Sequence, residues 1–275
     1  MKILKDKRFY KFLVPSLIGA FLFVTPINQD GSLTIPIAVA ANAMLNLMGD
    51  GALTIIWALI SLSGIITLIH KFIGIGFIAA FVLWTVLVKI VDVEAIGPRG
   101  SEVGFSALNG FVHKLLGTNM TLYVITDWLG LVPIATALVF ALLGLFQWIK
   151  RKSLRRVDGS IIALGIFYLA VIAVYILFEF VVINRRPVLI DGYLEASYPS
   201  STTMLVACVM PSAMMQFNSR IKTVWLKHAI LTAIGIFTAF TVIGRLISGV
   251  HWLSDIIGGL LFSIGALTLY RAFEE

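Results

Sequence analysis

Eight stretches of the chain are each long and apolar enough to cross a membrane as a helix. A helix needs about 20 mostly apolar residues to span the roughly 30 Å hydrocarbon core of a bilayer. A water-soluble core of 275 residues could not bury so much apolar surface. The sequence therefore predicts an all-α fold, a polytopic membrane helical bundle of about eight transmembrane helices. The stretches are residues 9–27, 52–69, 72–91, 130–149, 160–183, 200–216, 229–247 and 252–270.

Composition excludes the main alternatives to a membrane protein. The chain is 59% hydrophobic and 13% charged, whereas soluble domains are roughly 45–50% apolar and about 25% charged. Disordered chains are poor in aliphatic and aromatic residues, and a disulfide scaffold is excluded because Cys208 is the only cysteine. The first stretch follows basic residues, as a signal peptide does, but the nearest small-residue cleavage pattern, around residues 38–41, is too distant. We therefore interpret it as an uncleaved helix.

The basic residues predict the orientation. With a cytoplasmic N-terminus, 15 of the 21 lysines and arginines lie in predicted cytoplasmic segments and 6 lie elsewhere. Because short cytoplasmic loops are enriched in Lys and Arg, we expect a multi-pass protein of the cell membrane with both termini in the cytoplasm. The basic run 150–156 then lies beside anionic lipid. We interpret this run as a segment that fixes the orientation of the chain in the membrane, so a nucleic-acid partner is not expected.

We divide the chain into two regions. Residues 1–150 form an N-terminal membrane region with about four spans and two outer-face segments, at 28–51 and 92–129. Within the second segment, apolar residues between 105 and 116 are spaced as in an amphipathic helix on the membrane surface. Residues 151–275 form a C-terminal region of about four spans.

Three polar groups lie at the outer ends of the last four predicted spans. Each alone has an ordinary explanation: snorkelling arginines, a helix start or a buried His–Asp hydrogen bond. Together on one membrane face they predict an anion pocket, because arginine forks bind phosphate oxygens and a helix N-terminus adds N–H donors. The groups are Glu179 with residues 184–187, residues 198–202, and Arg245 with His251 and Asp255.

The residue types in this pocket predict phosphoryl transfer. His251 and Asp255 are four residues apart and share one face of a helix. An imidazole nitrogen can attack phosphorus when a carboxylate holds the other ring nitrogen. Arg186 and Arg245 would neutralise the phosphoryl oxygens, and water would then hydrolyse the phosphohistidine. We expect no cofactor and no metal, because no cluster of carboxylates, histidines or cysteines has ligand spacing.

These residues resemble the motifs of the type 2 phosphatidic acid phosphatase (PAP2) superfamily of membrane lipid phosphatases. The family motifs are Lys-x6-Arg-Pro, Pro-Ser-Gly-His and Ser-Arg-x5-His-x3-Asp. The resemblance covers about residues 160–270, and the third motif is the specific one. Here the motifs read Glu179-x6-Arg186-Pro187, Pro199-Ser200-Ser201-Thr202 and Gly244-Arg245-x5-His251-x3-Asp255.

The resemblance implies a metal-independent phosphoric-ester or diphosphate hydrolase whose active site faces the outside. Its substrate would be a membrane lipid with a phosphate or diphosphate headgroup. The implied roles are nucleophile for His251, orienter for Asp255, phosphate clamps for Arg186 and Arg245, phosphate donors for Ser200 and Thr202, and a substitute clamp for Arg185.

The motifs also depart from the family pattern. Glu179 replaces the lysine that clamps phosphate, Ser201 a glycine, and Gly244 a serine. Thr202 replaces the histidine that protonates the leaving group, and a threonine hydroxyl is not a general acid near neutral pH. Because a phosphate leaving group needs less acid help than an alkoxide, we expect a lipid diphosphate such as undecaprenyl diphosphate to suit the site better than a phosphomonoester.

Two other functions stay open. The changed motif positions also suit a non-catalytic protein that binds a phospholipid headgroup. Residues 12–69, with Thr25-Pro26-Ile27 and Thr34-Ile35-Pro36-Ile37, have a weaker resemblance to bacterial membrane proteins of the nucleoside-recognition gate type. That resemblance implies a lipid or solute transporter with a PAP2-like half.

Overall fold

The computed structural model describes residues 51–274 of the protein, with side chains for residues 64–273. The first predicted span, residues 9–27, lies outside the described residues. All but the last residue of the predicted outer segment 28–51 also lies outside them, as do the gate-like motifs at 25–27 and 34–37.

Within residues 51–274 the regular secondary structure is helical, with isolated β-bridges and no strand. Two short 3₁₀ turns, Pro98–Gly100 and Leu154–Arg156, lie between helices. This all-helical architecture confirms the predicted fold class. The α-helices are α1 (Gly51–Ile90), α2 (Ser106–Leu116), α3 (Met120–Leu129), α4 (Leu131–Arg151), α5 (Gly159–Phe180), α6 (Ser201–Arg220), α7 (Val224–Ile247) and α8 (Leu253–Glu274).

The chain divides into two compact units, Met1–Phe72 with Glu275 and Ile73–Glu274. Of the first unit, residues 51–72 are described, and they are helical. The second unit contains every predicted site residue. It extends across the boundary that the sequence suggested at residue 150, and that division stays a prediction.

Helix α1 differs from the sequence-based expectation. Separate spans were expected at 52–69 and 72–91 with an inner turn at 70–71, but the helix is continuous for 40 residues. His70 and Lys71 interrupt the apolar pattern, and this polarity suggested a turn. Neither residue is a helix breaker, and no proline lies near them. The expected turn at 70–71 is therefore wrong.

Five helical segments among the described residues are long and apolar enough to span a membrane. Helix α6 matches the predicted span 200–216 but is not among them. It packs against α4, α5, α7 and α8, and its polar side chains, including Ser212 and Gln216, are buried there. A central helix can be more polar than its neighbours because it does not face lipid. The segments are Gly64–Ile90, Met120–Arg151, Gly159–Phe180, Val224–Ile247 and Leu253–Phe273.

The connection between α1 and α4 contains two helices. Helix α2 confirms the helix expected near residues 105–116. Helix α3 was not expected, because residues 92–129 were assigned to an outer-face segment. Asn119 caps α3 by accepting a 2.9 Å hydrogen bond from the Leu122 amide. Helix α3 packs against α7 and so lies near the third motif.

An ion-pair cluster joins α4, α5 and α6 at the end of the bundle opposite the three motifs. Asp158 accepts hydrogen bonds from Arg151 at 2.9 Å and Gln147 at 2.8 Å, and its carboxylate lies 3.4 Å from Arg220. The Arg151 and Gln147 hydrogen bonds lower the pKa of Asp158. The cluster ties α4 to α5 and α6, whose other ends carry the first and second motifs.

Candidate active site

The first motif lies in the extended segment between α5 and α6. Arg186 donates its amide to the Glu195 carbonyl at 3.1 Å, and an isolated bridge pairs Arg185 with Ala196. Successive side chains of an extended segment point in opposite directions. Arg186 is accordingly buried in the bundle, whereas Arg185 is exposed and donates to the Leu194 carbonyl at 2.9 Å. The predicted substitute clamp thus has a backbone partner.

The second motif begins α6 and is held by α1 and α8. The hydroxyls of Tyr198 and Thr85 lie 2.7 Å apart, and the Ser200 amide donates to the Asp255 carbonyl at 3.1 Å. A Cβ atom on Gly258 would lie 2.6 Å from the Tyr198 ring, so only glycine allows this approach of α8. Ser200 is fully buried at the first turn of α6. The Tyr198–Pro199 peptide bond is cis.

Arg245, in the last turn of α7, is almost fully buried, with a side chain only 1% exposed. Its Nη2 atom lies 3.2 Å from His251 Nε2, and its Nη1 atom lies 3.4 Å from the carboxylate of Asp127 on α3. The Tyr123 ring, also on α3, lies 4.9 Å from the Arg245 guanidinium and 5.8 Å from that of Arg186. One aromatic ring thus lies near both predicted clamps, in cation–π geometry.

His251 lies in the short connection between α7 and α8. Its Nδ1 atom lies 3.1 Å from the Ser197 carbonyl oxygen, which can only accept, so Nδ1 carries the proton. Its Nε2 atom faces the guanidinium of Arg245, which can only donate, so Nε2 is unprotonated and accepts through its lone pair. Burial lowers the pKa of His251 well below its ordinary value, and the charges of Arg186 and Arg245 lower it further. The imidazole is neutral, with its Nε2 lone pair directed at Arg245.

Asp255 is fully buried in the first turn of α8. Its carboxylate accepts from the Trp252 amide at 2.9 Å and lies 3.3 Å from Asn184 Nδ2 and 3.4 Å from Ser254 Oγ. The distance from Asp255 Oδ2 to His251 Nδ1 is 3.8 Å, which allows electrostatic contact but is too long for a hydrogen bond. Nδ1 instead donates its hydrogen bond to the carbonyl oxygen of Ser197, a residue that was not predicted from the sequence.

Several buried donors around this cluster have no hydrogen-bond partner. Buried polar groups in proteins are nearly always paired, so a group of unpaired donors indicates a place for an anion. Arg186 Nε lies 3.0 Å from a Glu195 carboxylate oxygen, but without hydrogen-bond alignment. Four of these atoms belong to motif residues. The unpaired atoms are Arg186 Nε and Nη1, Arg245 Nε, Ser200 Oγ, Ser197 Oγ and Thr203 Oγ1.

A pocket of about 510 Å³ opens beside the cluster. Its lining is mainly polar and includes Arg185, Arg186 and His251 together with Glu179 and Glu195. Apolar side chains also contribute to the lining: Tyr175, Phe178, Val182 and Met204. The two arginines suit an anionic group in this pocket.

Not every predicted phosphate donor lines this pocket. Ser201 does, but Ser200 and Thr202 do not. Thr202 instead lies against the α3–α4 junction, since a Cβ atom on Gly130 would be 3.5 Å from Thr202 Cγ2. Arg245 also lies outside the pocket lining but contacts His251 from the α7 side. Of the predicted residues, Arg186 therefore approaches His251 from the pocket and Arg245 approaches it from the α7 side.

Four residues near the site were not predicted from the sequence: Tyr123, Asp127, Glu195 and Ser197. One signal for Asp127 was present: it is an acidic residue inside the apolar segment Met120–Arg151, and such residues are functional candidates. Tyr123, Glu195 and Ser197 gave no comparable signal. No group of three or more His, Cys, Asp or Glu side chains in the described part of the chain is placed to hold a metal ion.

Comparison with known proteins relates this fold and site to membrane phosphatases of PAP2 type. Residues 179–275 match the model of the PAP2 superfamily, which confirms the resemblance over the three motifs. The fold is similar to the crystal structure of a transmembrane PAP2-type phosphatidylglycerolphosphate phosphatase from Bacillus subtilis. That match has a TM-score of 0.50 and 18% identity and covers 73% of this chain and 95% of the other. No curated protein sequence matches the chain.

These findings support a phosphatase-type hydrolase in a membrane. The family match covers residues 179–275, and the similarity to the solved structure extends over most of the chain.

Proposed function

We propose that the protein is a lipid phosphatase of the cell membrane that hydrolyses a lipid diphosphate through a phosphohistidine intermediate. The observation that carries this proposal is the meeting of buried Arg186 and Arg245 with neutral His251. The two guanidinium groups retain unpaired N–H donors beside the imidazole. An anionic phosphoryl group would satisfy these donors and place phosphorus next to the Nε2 lone pair.

In the first step, His251 Nε2 attacks the terminal phosphorus, and the bond from phosphorus to the bridging oxygen breaks. The electron pair leaves with that oxygen as a lipid monophosphate. Arg186 and Arg245 stabilise the charge on the equatorial oxygens. The imidazole becomes positively charged, and Ser197 O at 3.1 Å and Asp255 at 3.8 Å stabilise that charge. Asp255 is thus proposed as an electrostatic partner of the nucleophile, and Ser200 as a donor to phosphate.

The choice of a diphosphate rests on the missing general acid. Thr202 cannot protonate an alkoxide leaving group near neutral pH. A phosphate leaving group is much less basic and departs without that help. We propose undecaprenyl diphosphate as a representative substrate, with phosphomonoesters such as phosphatidic acid as poorer ones.

The apolar residues in the pocket lining support a lipid substrate. Tyr175 and Phe178 lie near the C-terminal end of α5, a segment apolar enough to span a membrane. An isoprenoid or acyl chain lying along these residues would extend into the bilayer while its headgroup reached Arg186. The pocket lies at the end of the bundle opposite the basic run 150–156, so we propose that it faces the outside of the cell.

The experiment is phosphate release by purified protein in detergent, with undecaprenyl diphosphate and phosphatidic acid as alternative substrates. His251→Ala should lower phosphate release by about 10³-fold or more, because the covalent nucleophile is lost. His228→Ala is the matched control, since His228 is exposed at the start of α7, far along the helix from Arg245. The control should retain wild-type activity.

Other outcomes would contradict parts of this proposal. Faster release from phosphatidic acid than from the diphosphate would contradict the substrate class. Lipid binding without phosphate release by the wild type would favour a non-catalytic headgroup-binding protein, and lipid flux without hydrolysis would favour a transporter.

A further inference from the structure

The proposed phosphohistidine must be hydrolysed, and that step needs a base. Water attacks phosphorus efficiently when a side chain accepts its proton. The threonine hydroxyl of Thr202 cannot accept a proton near neutral pH, although it occupies the motif position expected to exchange protons. The side chain that performs this task must come from elsewhere in the fold, an argument that rests on the proposed function.

The surroundings of Thr202 identify a candidate. Its methyl group lies against the α3–α4 junction, where a Cβ atom on Gly130 would be 3.5 Å away. Asp127 lies in the same turn, and its carbonyl accepts from the Gly130 amide at 2.9 Å. A carboxylate therefore lies in the turn that packs against the divergent motif position.

The Asp127 side chain also reaches the reacting group through one guanidinium. Asp127 Oδ1 lies 3.4 Å from Arg245 Nη1, and His251 Nε2 lies 3.2 Å from Nη2 of the same group. A phosphoryl group bound to Nε2 would therefore contact the same Arg245 guanidinium that the Asp127 carboxylate contacts. The Asp127 side chain is 55% exposed, so water can reach it.

We propose that Asp127 is the general base that activates water for hydrolysis of the phosphohistidine. Asp127 accepts one proton from water while the water oxygen forms a bond to phosphorus. The phosphorus–Nε2 bond breaks, its electron pair returns to His251, and inorganic phosphate leaves. Asp127 then releases its proton to bulk water.

The contact with Arg245 distinguishes Asp127 from the two other carboxylates near the site. Asp127 Oδ1 lies 3.4 Å from the guanidinium that also contacts His251 Nε2. Glu179 and Glu195 line the pocket, and Glu195 lies 3.0 Å from the other predicted clamp, Arg186. Glu195 is therefore the matched control, a nearby carboxylate that does not contact Arg245.

The test separates formation of the phosphoenzyme from its breakdown. Wild type, Asp127→Asn and Glu195→Gln are mixed with polyprenyl diphosphate carrying ³²P in the terminal phosphate, and the reactions are quenched rapidly. In Asp127→Asn we expect a burst of about one lipid monophosphate per enzyme, an acid-labile ³²P-labelled protein, and turnover reduced about 10²–10⁴-fold. Glu195→Gln should not accumulate labelled protein. Adding Thr202→His to Asp127→Asn should speed loss of the label.

Three results would overturn the inference. The first is turnover of Asp127→Asn within about twofold of wild type. The second is slowed turnover without labelled protein, which would mean that Asp127 acts only by positioning Arg245 for the first step. If Asp127→Asn does not fold, Asp127→Ala replaces it, and added formate should stand in for the missing carboxylate. The third contradicting result is that formate does not speed loss of the label from Asp127→Ala. If the wild type itself neither hydrolyses the diphosphate nor becomes labelled, the proposed function fails instead.

Discussion

At the residue scale, the proposed nucleophilic role of His251 depends on its protonation state. A histidine that attacks phosphorus must be neutral, and a charged imidazole is the usual result of lowering the pH through its ordinary pKa of about 6.5. Burial, Arg186 and Arg245 all lower the pKa of His251. Its neutral form therefore persists at acidic pH values where an exposed histidine is already protonated.

We expect NMR titration of histidine-labelled protein to show His251 neutral at pH 6.5 and below, with the proton on Nδ1. The chain has four histidines, and His251→Ala assigns the signal. Arg186→Gln should raise the pKa, because it removes a nearby positive charge that favours the neutral ring. Titration of the His251 signal at or above pH 6.5 in the wild type would contradict the buried, arginine-flanked site.

The residues of the site were only partly predictable from the sequence. The spacing Arg245-x5-His251-x3-Asp255 identified the third motif, because short-range spacing is a property of the chain itself. The contact between His251 and the Ser197 carbonyl joins residues 54 positions apart and uses a backbone atom, so no residue type signals it. Asp127 lies 118 positions from its partner Arg245, and only its acidity within an apolar segment marked it.

At the scale of elements, the approach of α3 to α7 explains one departure from the family pattern. A Cβ atom on Gly244 would lie 2.7 Å from Thr126 Cγ2, so the serine of the family motif does not fit beside α3. Thr126 is buried and bonds to the carbonyls of its own helix, which holds its methyl group against Gly244. Glycine at position 244 thus allows α3 to bring Tyr123 and Asp127 to the site.

Restoring the family serine should therefore be harmful. We expect Gly244→Ser to destabilise the protein by about 1–3 kcal/mol through overpacking and to lower activity by displacing Arg245. Adding Thr126→Ala should recover part of both losses, because it removes the methyl group that the serine meets. Thermal unfolding and phosphate release check this expectation, with Gly235→Ala as the control in open space on the same helix. Additive effects of the two substitutions would contradict it.

Helix boundaries show which elements the sequence could predict. Four helices coincide with long apolar stretches, and their ends lie within a few residues of the predicted ranges: α4, α5, α7 and α8. The α1 prediction was wrong at 70–71 because polarity alone suggested a turn where nothing in the backbone chemistry breaks a helix. Helix α3 was missed because its role depends on packing against α7, which is distant in sequence.

At the scale of the whole molecule, the charges of the described bundle are segregated by function. The basic run 150–156 and the Asp158 cluster lie at one end of α4, α5 and α6. Arg186 and Arg245 lie at the other end, beside His251 and the pocket. We therefore propose that the net charge of +7 mainly reflects orientation in the membrane and that the positive charge used in function is the small cluster at the motif end.

This segregation predicts which end of the bundle meets the outside of the cell. Cys208, the only cysteine, is 0% exposed, so the wild type should give little background labelling. Tyr193, 73% exposed, lies in the loop at the motif end, and Trp225, 71% exposed, lies at the opposite end. In intact bacterial cells, a membrane-impermeant maleimide should label Tyr193→Cys, and it should label Trp225→Cys only after permeabilisation. The reverse pattern would place the phosphate pocket in the cytoplasm and contradict a substrate headgroup taken from the outer leaflet.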